Sequence, residues 1–236
     1  MQAFGDRESD NAERGYHGSE FVSRLSPEAL KEFMAMAIPL SYQDHMVLFQ
    51  EEEQPRAVYL IVEGEVKLSI NSSKGRRLSH RIARKGELLA LAAVLSGNPH
   101  DMTAETLYPA KLAPIERQKF LGFLGRHPAV YQTVSEELTR EFKIACGQLR
   151  TVGLSSSAPE KLARLLLDWS ENGRATEGGS GCRLSLTHEE IAEFIGASRE
   201  TVTRTLTIFK NQHLVAIQGS SLTIPSRKSL ESCACA

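Results

Sequence analysis

Short apolar runs cut by turn residues fill the first half of the chain, and stripes with helical spacing fill the second. Between Tyr42 and about Ile115 the runs are Met46 to Phe49, Val58 to Val62, Val66 to Ile70 and Lys111 to Ile115. Gln54-Pro55, Gly64, Lys74-Gly75, Gly86 and Gly97-Asn98-Pro99 separate them. Strand-length runs with such breakers are the rhythm of an antiparallel roll or sandwich. Alternation at Val66, Leu68 and Ile70 predicts one inward face, with Glu65, Lys67 and Ser69 turned to water. Ahead of the strands, Ser26-Pro27-Glu28 opens a short helix that should end near Pro39. Ser26 is its N-cap, and Pro27 stands at the first helical position, where a missing N–H costs nothing.

From His127-Pro128 the period changes. Tyr131, Val134, Leu138, Phe142, Ala145, Leu149 and Val152 recur at helical spacing, and the steps from Leu138 to Val152 are four, three, four and three. That is the seam of a two-stranded coiled coil. It predicts a dimerisation helix over 127–152 with Val134, Leu138, Phe142, Ala145, Leu149 and Val152 at the interface. The stripe could instead cover the chain's own β-domain; its position between two domains, without other obvious helical partners, favours pairing. Gly153 to Pro159 is a hinge of flexible and helix-breaking residues. Beyond it the pattern predicts a helix from Ala158 to Ser170 with Leu162, Leu165, Leu166 and Trp169 on one face, then a Gly-rich loop over 172–181. Two helices follow, over 187–196 and 198–210, and a hairpin pairs Leu214 to Ile217 with Ser221 to Ile224 across Gln218-Gly219. The resulting α+β chain has a disordered polar stretch at 1–18, a β-roll domain at 19–126, the long helix, the hinge at 153–159 and a winged helix-turn-helix at 160–236.

The segment from Leu186 to Arg204 carries the chemistry. Thr187 with Glu190 three residues on is a capping box, Ile191 and Ile195 face inward, and Ala192 is small where two helices approach closely. Gly196 ends the first helix and Ser198 caps the second. So tight a turn leaves the second helix projecting, with Arg199, Glu200, Thr203 and Arg204 on the face away from Val202 and Leu206. An arginine fork suits guanine O6 and N7, and a carboxylate accepts from the cytosine amino group. Glu200 can also hold an arginine in one rotamer and penalise its misplacement on phosphate. Thr187, Ser198 and Thr201 stand at helix starts, where hydroxyls and free N–H groups meet phosphates.

Charge neither proposes nor excludes DNA. Lys plus Arg number 28 against 29 for Asp plus Glu, a net charge of −1. Over 187–236, Arg199, Arg204, Lys210, Arg227 and Lys228 oppose Glu189, Glu190, Glu193, Glu200 and Glu231. Affinity must therefore come from paired geometry and specific contacts more than from a basic field, with salt dependence still expected. No apolar run approaches the roughly 18 residues that cross a bilayer, and no secretion signal is visible, so the chain reads as soluble and cytoplasmic.

The Leu186 to Arg204 segment, the wing after it and the hinge before it resemble the superfamily of the cyclic-AMP receptor and the fumarate-nitrate-reductase regulator (CRP/FNR). The likeness runs from about residue 20 to 230. It implies a cyclic-nucleotide-binding-like jelly roll, recognisable in Tyr59 to Leu68, and a homodimer on double-stranded DNA. It also implies base reading by Arg199, Glu200 and Arg204 in half-sites resembling TGTGA, and RNA polymerase as a partner. Thr205 departs from the pattern, which usually buries an aliphatic residue there; a small rotation bringing in Leu206 would compensate.

The sensor half departs further. Aligning Gly86 to Leu91 on the family pattern puts Ala90 and Leu91 where the nucleotide-binding Gly-Glu pair belongs. His100-Asp101 falls where the phosphate-neutralising Arg-Ser belongs, and Ala145 and Cys146 replace hydroxyl residues on the long helix. Ala90, Leu91, His100, Asp101 and Cys146 are the effector-pocket candidates. A carboxylate near a phosphate repels it, so cyclic AMP is not the expected effector; a different small molecule, or constitutive DNA binding with none, remains. No Cys precedes Cys146, so the cysteine cluster of iron–sulfur members is missing. Cys233-Ala234-Cys235 reads as an exposed tail. His45, His80 and His100 raise a jelly-roll metalloenzyme as a further alternative, but no His-X-His occurs, nor any phosphate loop or nucleophile elbow. No catalytic residue, metal or cofactor is expected.

Overall fold

Ser19 and Ser26 each start a helix. The Ser19 hydroxyl accepts from the Val22 N–H ahead of α1 (Glu20–Ser23), and Ser26 accepts from the Ala29 N–H ahead of α2 (Pro27–Met36), with Pro27 at the first position. The computed structural model describes residues 19–73, 75–155, 157–171, 175–176, 179–183, 186–218 and 221–234. The stretch predicted to be disordered, 1–18, lies outside the described residues, as do Gly219 of the wing turn and Cys235.

After α2 come β1 (Leu40–Tyr42), β2 (Val47–Phe49), β3 (Ala57–Glu63), β4 (Glu65–Asn71), β5 (Arg77–Arg84), β6 (Leu88–Leu89), α3 (Leu91–Ser96), β7 (Thr103–Thr106), β8 (Ala110–Glu116) and α4 (Arg117–Arg126). They form two four-stranded sheets, ordered β1-β8-β3-β6 and β2-β7-β4-β5, with antiparallel pairing. β3 is apolar from Ala57 to Val62 because it is buried on both faces, and only its last residue, Glu63, is exposed. Val58, Leu60 and Val62 join Phe21, Phe33, Phe120 and Phe123 in one cluster, while Ile61 joins Phe49, Val66, Leu68 and Leu112 in the other.

β4 corrects the alternation argument. Val66 and Leu68 point into the core as predicted, but Ile70 is exposed, and Lys67 and Ser69 are buried rather than solvated. The register supplies part of the reason: Lys67 lies opposite Glu105 on β7, so an opposite charge accompanies the ammonium out of water. β5 escaped prediction for a related cause. Its buried positions are Ser79, Arg81 and Ala83, which break the apolar period that would have announced a strand.

The chain divides into two compact units, residues 1–76 with 80–143 and residues 77–79 with 144–236. α5 (Val130–Leu154) is the long helix. Its predicted seam splits along its length. Val134 is buried in the first unit's core and Leu138 packs against it, whereas Phe142 is 69% and Leu149 71% exposed; Ala145 and Val152 are half-buried. Covering of the chain's own β-domain thus accounts for the start of the stripe only.

Beyond α5 lie α6 (Ala158–Glu171), β9 (Ala175–Thr176), β10 (Gly179–Arg183), α7 (His188–Ile195), α8 (Arg199–Asn211), β11 (Ala216–Gln218), β12 (Ser221–Ile224) and α9 (Arg227–Ala234). Two expectations fail here. The stretch read as a Gly-rich loop contributes β10, which pairs with β12 and extends the wing into a sheet ordered β11-β12-β10-β9. The C-terminal residues read as an exposed tail instead form α9, which buries Leu230 and Ala234 and leaves Cys233 half-buried. Burial, and then Glu160, pushes the Cys233 thiol above its ordinary range. No helix among the described residues is long and apolar enough to cross a membrane.

Candidate nucleic-acid interface

The two helices of the motif are set by local chemistry that the sequence announces. Thr187 accepts from the Glu190 N–H, and the Glu190 carboxylate takes the Thr187 N–H in return at 2.8 Å, completing the capping box of α7. Gly196 closes that helix at φ 63°, a left-handed conformation that costs a side chain strain. Ser198 then accepts from the Thr201 N–H and starts α8. Behind the motif, Trp169 of α6 meets the Phe194 ring edge-on at 5.4 Å. Gln148 of α5 donates to the Phe194 carbonyl at 2.8 Å, satisfying an orphan acceptor at the end of α7. Thr187→Ala is expected to lower the stability of this unit by about 1 kcal/mol; denaturant unfolding followed by the fluorescence of Trp169 checks it, and an unchanged midpoint would contradict the assigned cap.

Burial separates the two faces of α8. Val202, Thr205, Leu206 and Phe209 are buried, while Ser198, Arg199, Glu200, Thr203 and Arg204 are exposed. Thr205 needs no compensating rotation: its hydroxyl donates to the Thr201 carbonyl at 2.8 Å, so the site takes threonine with its polar atom satisfied, and Leu206 is buried beside it. The Glu200 carboxylate is held below its usual range, first by a hydrogen bond from its own backbone N–H, then from the Ser198 hydroxyl, with Arg199 adding attraction. It is therefore ionised and acceptor-only at neutral pH. Arg204 has no side-chain partner among the described residues, which leaves its planar fork open to an incoming acceptor pair.

Thr203 is tied differently from the arginines. Its hydroxyl donates to the Arg199 carbonyl at 3.0 Å, and its oxygen lies 2.8 Å from Nδ1 of His188 on the first turn of α7. His188 was not among the predicted site residues. Spacing along a single helix cannot reveal it, because it reaches Thr203 on the exposed face of α8 from the other helix of the motif. Thr187, Ser198 and Thr201 gather at the two helix starts, Thr201 half-buried with its hydroxyl 3.1 Å from that of Ser198.

Two family models match the chain in the order in which these units occur. A cyclic nucleotide-binding domain covers residues 39–127, and a Crp-like helix-turn-helix domain covers residues 160–233. The chain belongs to the CRP/FNR superfamily. The transcriptional activatory protein AadR of Rhodopseudomonas palustris is 28% identical over 220 residues, which cover 93% of this chain and 90% of that protein. The nitrogen fixation regulation protein FixK of Bradyrhizobium diazoefficiens is 29% identical over 212 residues, 89% of this chain and 88% of its own. The structure of FixK2 from Bradyrhizobium japonicum superposes with a TM-score of 0.75 at 23% identity, covering 85% of this chain and 98% of that one, a likeness of fold. This CRP/FNR chain is a DNA-binding transcription regulator with a winged helix-turn-helix and a cyclic-nucleotide-binding-like roll.

In this CRP/FNR regulator the residues predicted to form an effector pocket do not share one environment. Ala90 adopts φ 67°, a left-handed conformation that favours glycine, and N-caps α3 without a side-chain bond. Leu91 is buried in the cluster of Phe33, Leu60 and Phe123. His100 is buried with its ring stacked on Phe49 at 4.0 Å, and burial holds its pKa below the usual histidine value. Asp101 is exposed and Cys146 half-buried. Of the other two histidines raised as metal ligands, His45 is exposed beside Glu105 at 3.2 Å, and burial then Arg81 lower the pKa of His80 to about 4.

Sequence reasoning also missed a cluster of charge. Arg81 is 8% exposed. It donates to Glu87 at 2.6 Å and, through Nε, to Glu141 of α5 at 3.2 Å, with a second bond from its Nη2 to the same carboxylate. Arg140 of α5 reaches Glu87 at 3.3 Å and pairs with Glu137. Burial works against the Arg140 guanidinium, but Glu137, Glu87 and Glu141 outweigh it and raise its pKa. Two cations among three carboxylates leave the cluster at a formal charge of −1. Glu87 is three residues ahead of Ala90, the first of the predicted effector-pocket residues.

Proposed function

We propose that the protein is a dimeric, sequence-specific regulator that reads a palindrome of TGTGA-like half-sites through α8. The single observation that carries this reading is the segregation on that helix: Arg199, Glu200, Thr203 and Arg204 are exposed together, while every apolar residue of its first two turns is buried. Arg199 and Arg204 offer bidentate donors to guanine, and Glu200 an ionised acceptor to cytosine. Thr203, its hydroxyl already engaged, offers its methyl. Thr187, Ser198 and Thr201 sit at helix starts and meet phosphates. Phe142 and Leu149, exposed one heptad apart, support pairing of α5 with a second copy, and Ala145 and Val152 complete the seam. Val134 and Leu138 lie at its edge. The working division is a sensor domain at 19–126, a dimerisation helix at 127–152, a hinge at 153–159 and a reading domain at 160–236. RNA polymerase is the partner for regulation, and the cytoplasm, where the DNA is, the location.

Selection of duplexes from a randomised library by the full chain tests the reading. Enrichment of a palindrome with half-site centres about 10 base pairs apart is expected. Enrichment of asymmetric sequences, or of none, overturns it.

A second reading concerns the effector. The ionic knot of Arg81, Glu87, Arg140, Glu137 and Glu141 favours DNA binding without a nucleotide, because its cations are already neutralised and its net charge repels a phosphate. Calorimetric titration with cyclic AMP should give no binding heat, and operator affinity should be the same with and without added nucleotide. Submicromolar binding would reverse this conclusion.

A further inference from the structure

The geometry points to His188 as a positioning residue for base reading, acting from α7 on Thr203 of α8. This rests on the assignment of α8 as the reading helix and adds to it a residue outside that helix. One hydroxyl proton decides the argument. Thr203 Oγ1 donates to the Arg199 carbonyl at 3.0 Å, so towards His188 the same oxygen can only accept. Nδ1 of His188, 2.8 Å away, must then be the donor, which fixes both the tautomer and the ring orientation.

Threonine in a helix divides its side chain between two rotamers, because its hydroxyl bonds the preceding turn in either. The bond from His188 removes that choice. It turns the hydroxyl towards α7 and leaves the methyl as the group available to a base edge, suited to the 5-methyl of thymine rather than to a polar edge. It also joins the first turn of α7 to the first turn of α8 through the Arg199 carbonyl, so the helix that carries Arg199 and Arg204 is braced at the point where it must be held within a fraction of an ångström.

The test uses the full-length protein and the palindrome that the wild type selects from a randomised library, together with every single base-pair replacement in one half-site. His188→Leu removes the donor, and His188→Asn keeps an amide N–H near the position of Nδ1. Thr203→Val keeps the shape and removes the acceptor. His188→Leu and Thr203→Val should each lower discrimination at one and the same base step by roughly three- to tenfold, the worth of one hydrogen bond, with other steps unchanged. The double variant should be no worse than either single one, and His188→Asn should recover most of the loss. Thermal unfolding of each variant separates this from a folding defect. Uniform weakening across all sequences would make His188 a phosphate or stability residue and overturn the proposal, as would unaltered discrimination. If the wild type selects no palindrome, the reading-helix assignment fails first and this inference falls with it; a palindrome with no His188 effect sinks the inference alone.

Discussion

The double substitution Phe142→Glu with Leu149→Glu is expected to leave each protomer folded and to remove operator binding. Both side chains are more than two-thirds exposed, so their loss opens no cavity in the monomer. They stand one heptad apart on α5, where a second copy would cover them. Two carboxylates facing their own images across an apolar seam add desolvation and like-charge repulsion in place of the roughly 1.5 to 3 kcal/mol that burying each Phe or Leu contributes. A lone protomer then presents one reading helix instead of two. Specific complexes of this kind have dissociation constants of about 10⁻⁸ to 10⁻¹¹ M, and loss of half of the contacts weakens binding by about a thousandfold or more. Sedimentation and gel-shift measurements on wild type and variant check both halves of the claim. A wild type that sediments as a monomer, or a variant that keeps both dimer and operator, would refute it.

Arg204→Ala comes second in size. The guanidinium lies outside the core and has no side-chain partner among the described residues, so truncation should leave the unfolding midpoint unchanged. At the operator the loss should be about 1 to 3 kcal/mol for each half-site, about 2 to 6 for the dimer, with much less on random DNA. Arg199→Ala belongs to the same class. Its smaller independence follows from its neighbour: Arg199 helps hold the Glu200 carboxylate in its ionised form, so its removal also loosens that acceptor. Equal losses on operator and random DNA would turn either arginine into a phosphate contact.

The motif was legible in the sequence to within a residue because its signals are local. Caps at Thr187 and Ser198, glycine at 196 and inward positions at Ile191 and Ile195 each concern residues within one turn of one another, and all five appear as expected. Thr205 was the instructive exception. Judged by polarity it did not belong in the core, yet its hydroxyl is satisfied by its own helix, so only its methyl and its size matter to the packing.

The roll was legible as an architecture but not strand by strand. Apolar runs announced β3, β4 and β8, whereas β5 hid behind Ser79 and Arg81, and the burial of Lys67 contradicted a reading in which charge means water. Arg81 is buried because Glu87 and Glu141 arrive from a turn six residues on and a helix sixty residues on. No periodicity carries that information, since it depends on which partners the fold brings close.

The sequence by itself therefore determined a roll followed by a helix-turn-helix, the start and end of both helices of the motif, and the side chains on the exposed face of α8, the last two being properties of neighbours along the chain. The tertiary structure alone decided that α5 lays Val134 and Leu138 on the roll while leaving Phe142 and Leu149 bare, that β10 and α9 join the helix-turn-helix unit, and that His188 meets Thr203. Each of those facts is a meeting of residues distant in sequence or on separate elements. Whether such groups meet depends on packing and desolvation, which compare partners in space rather than spacings along a chain.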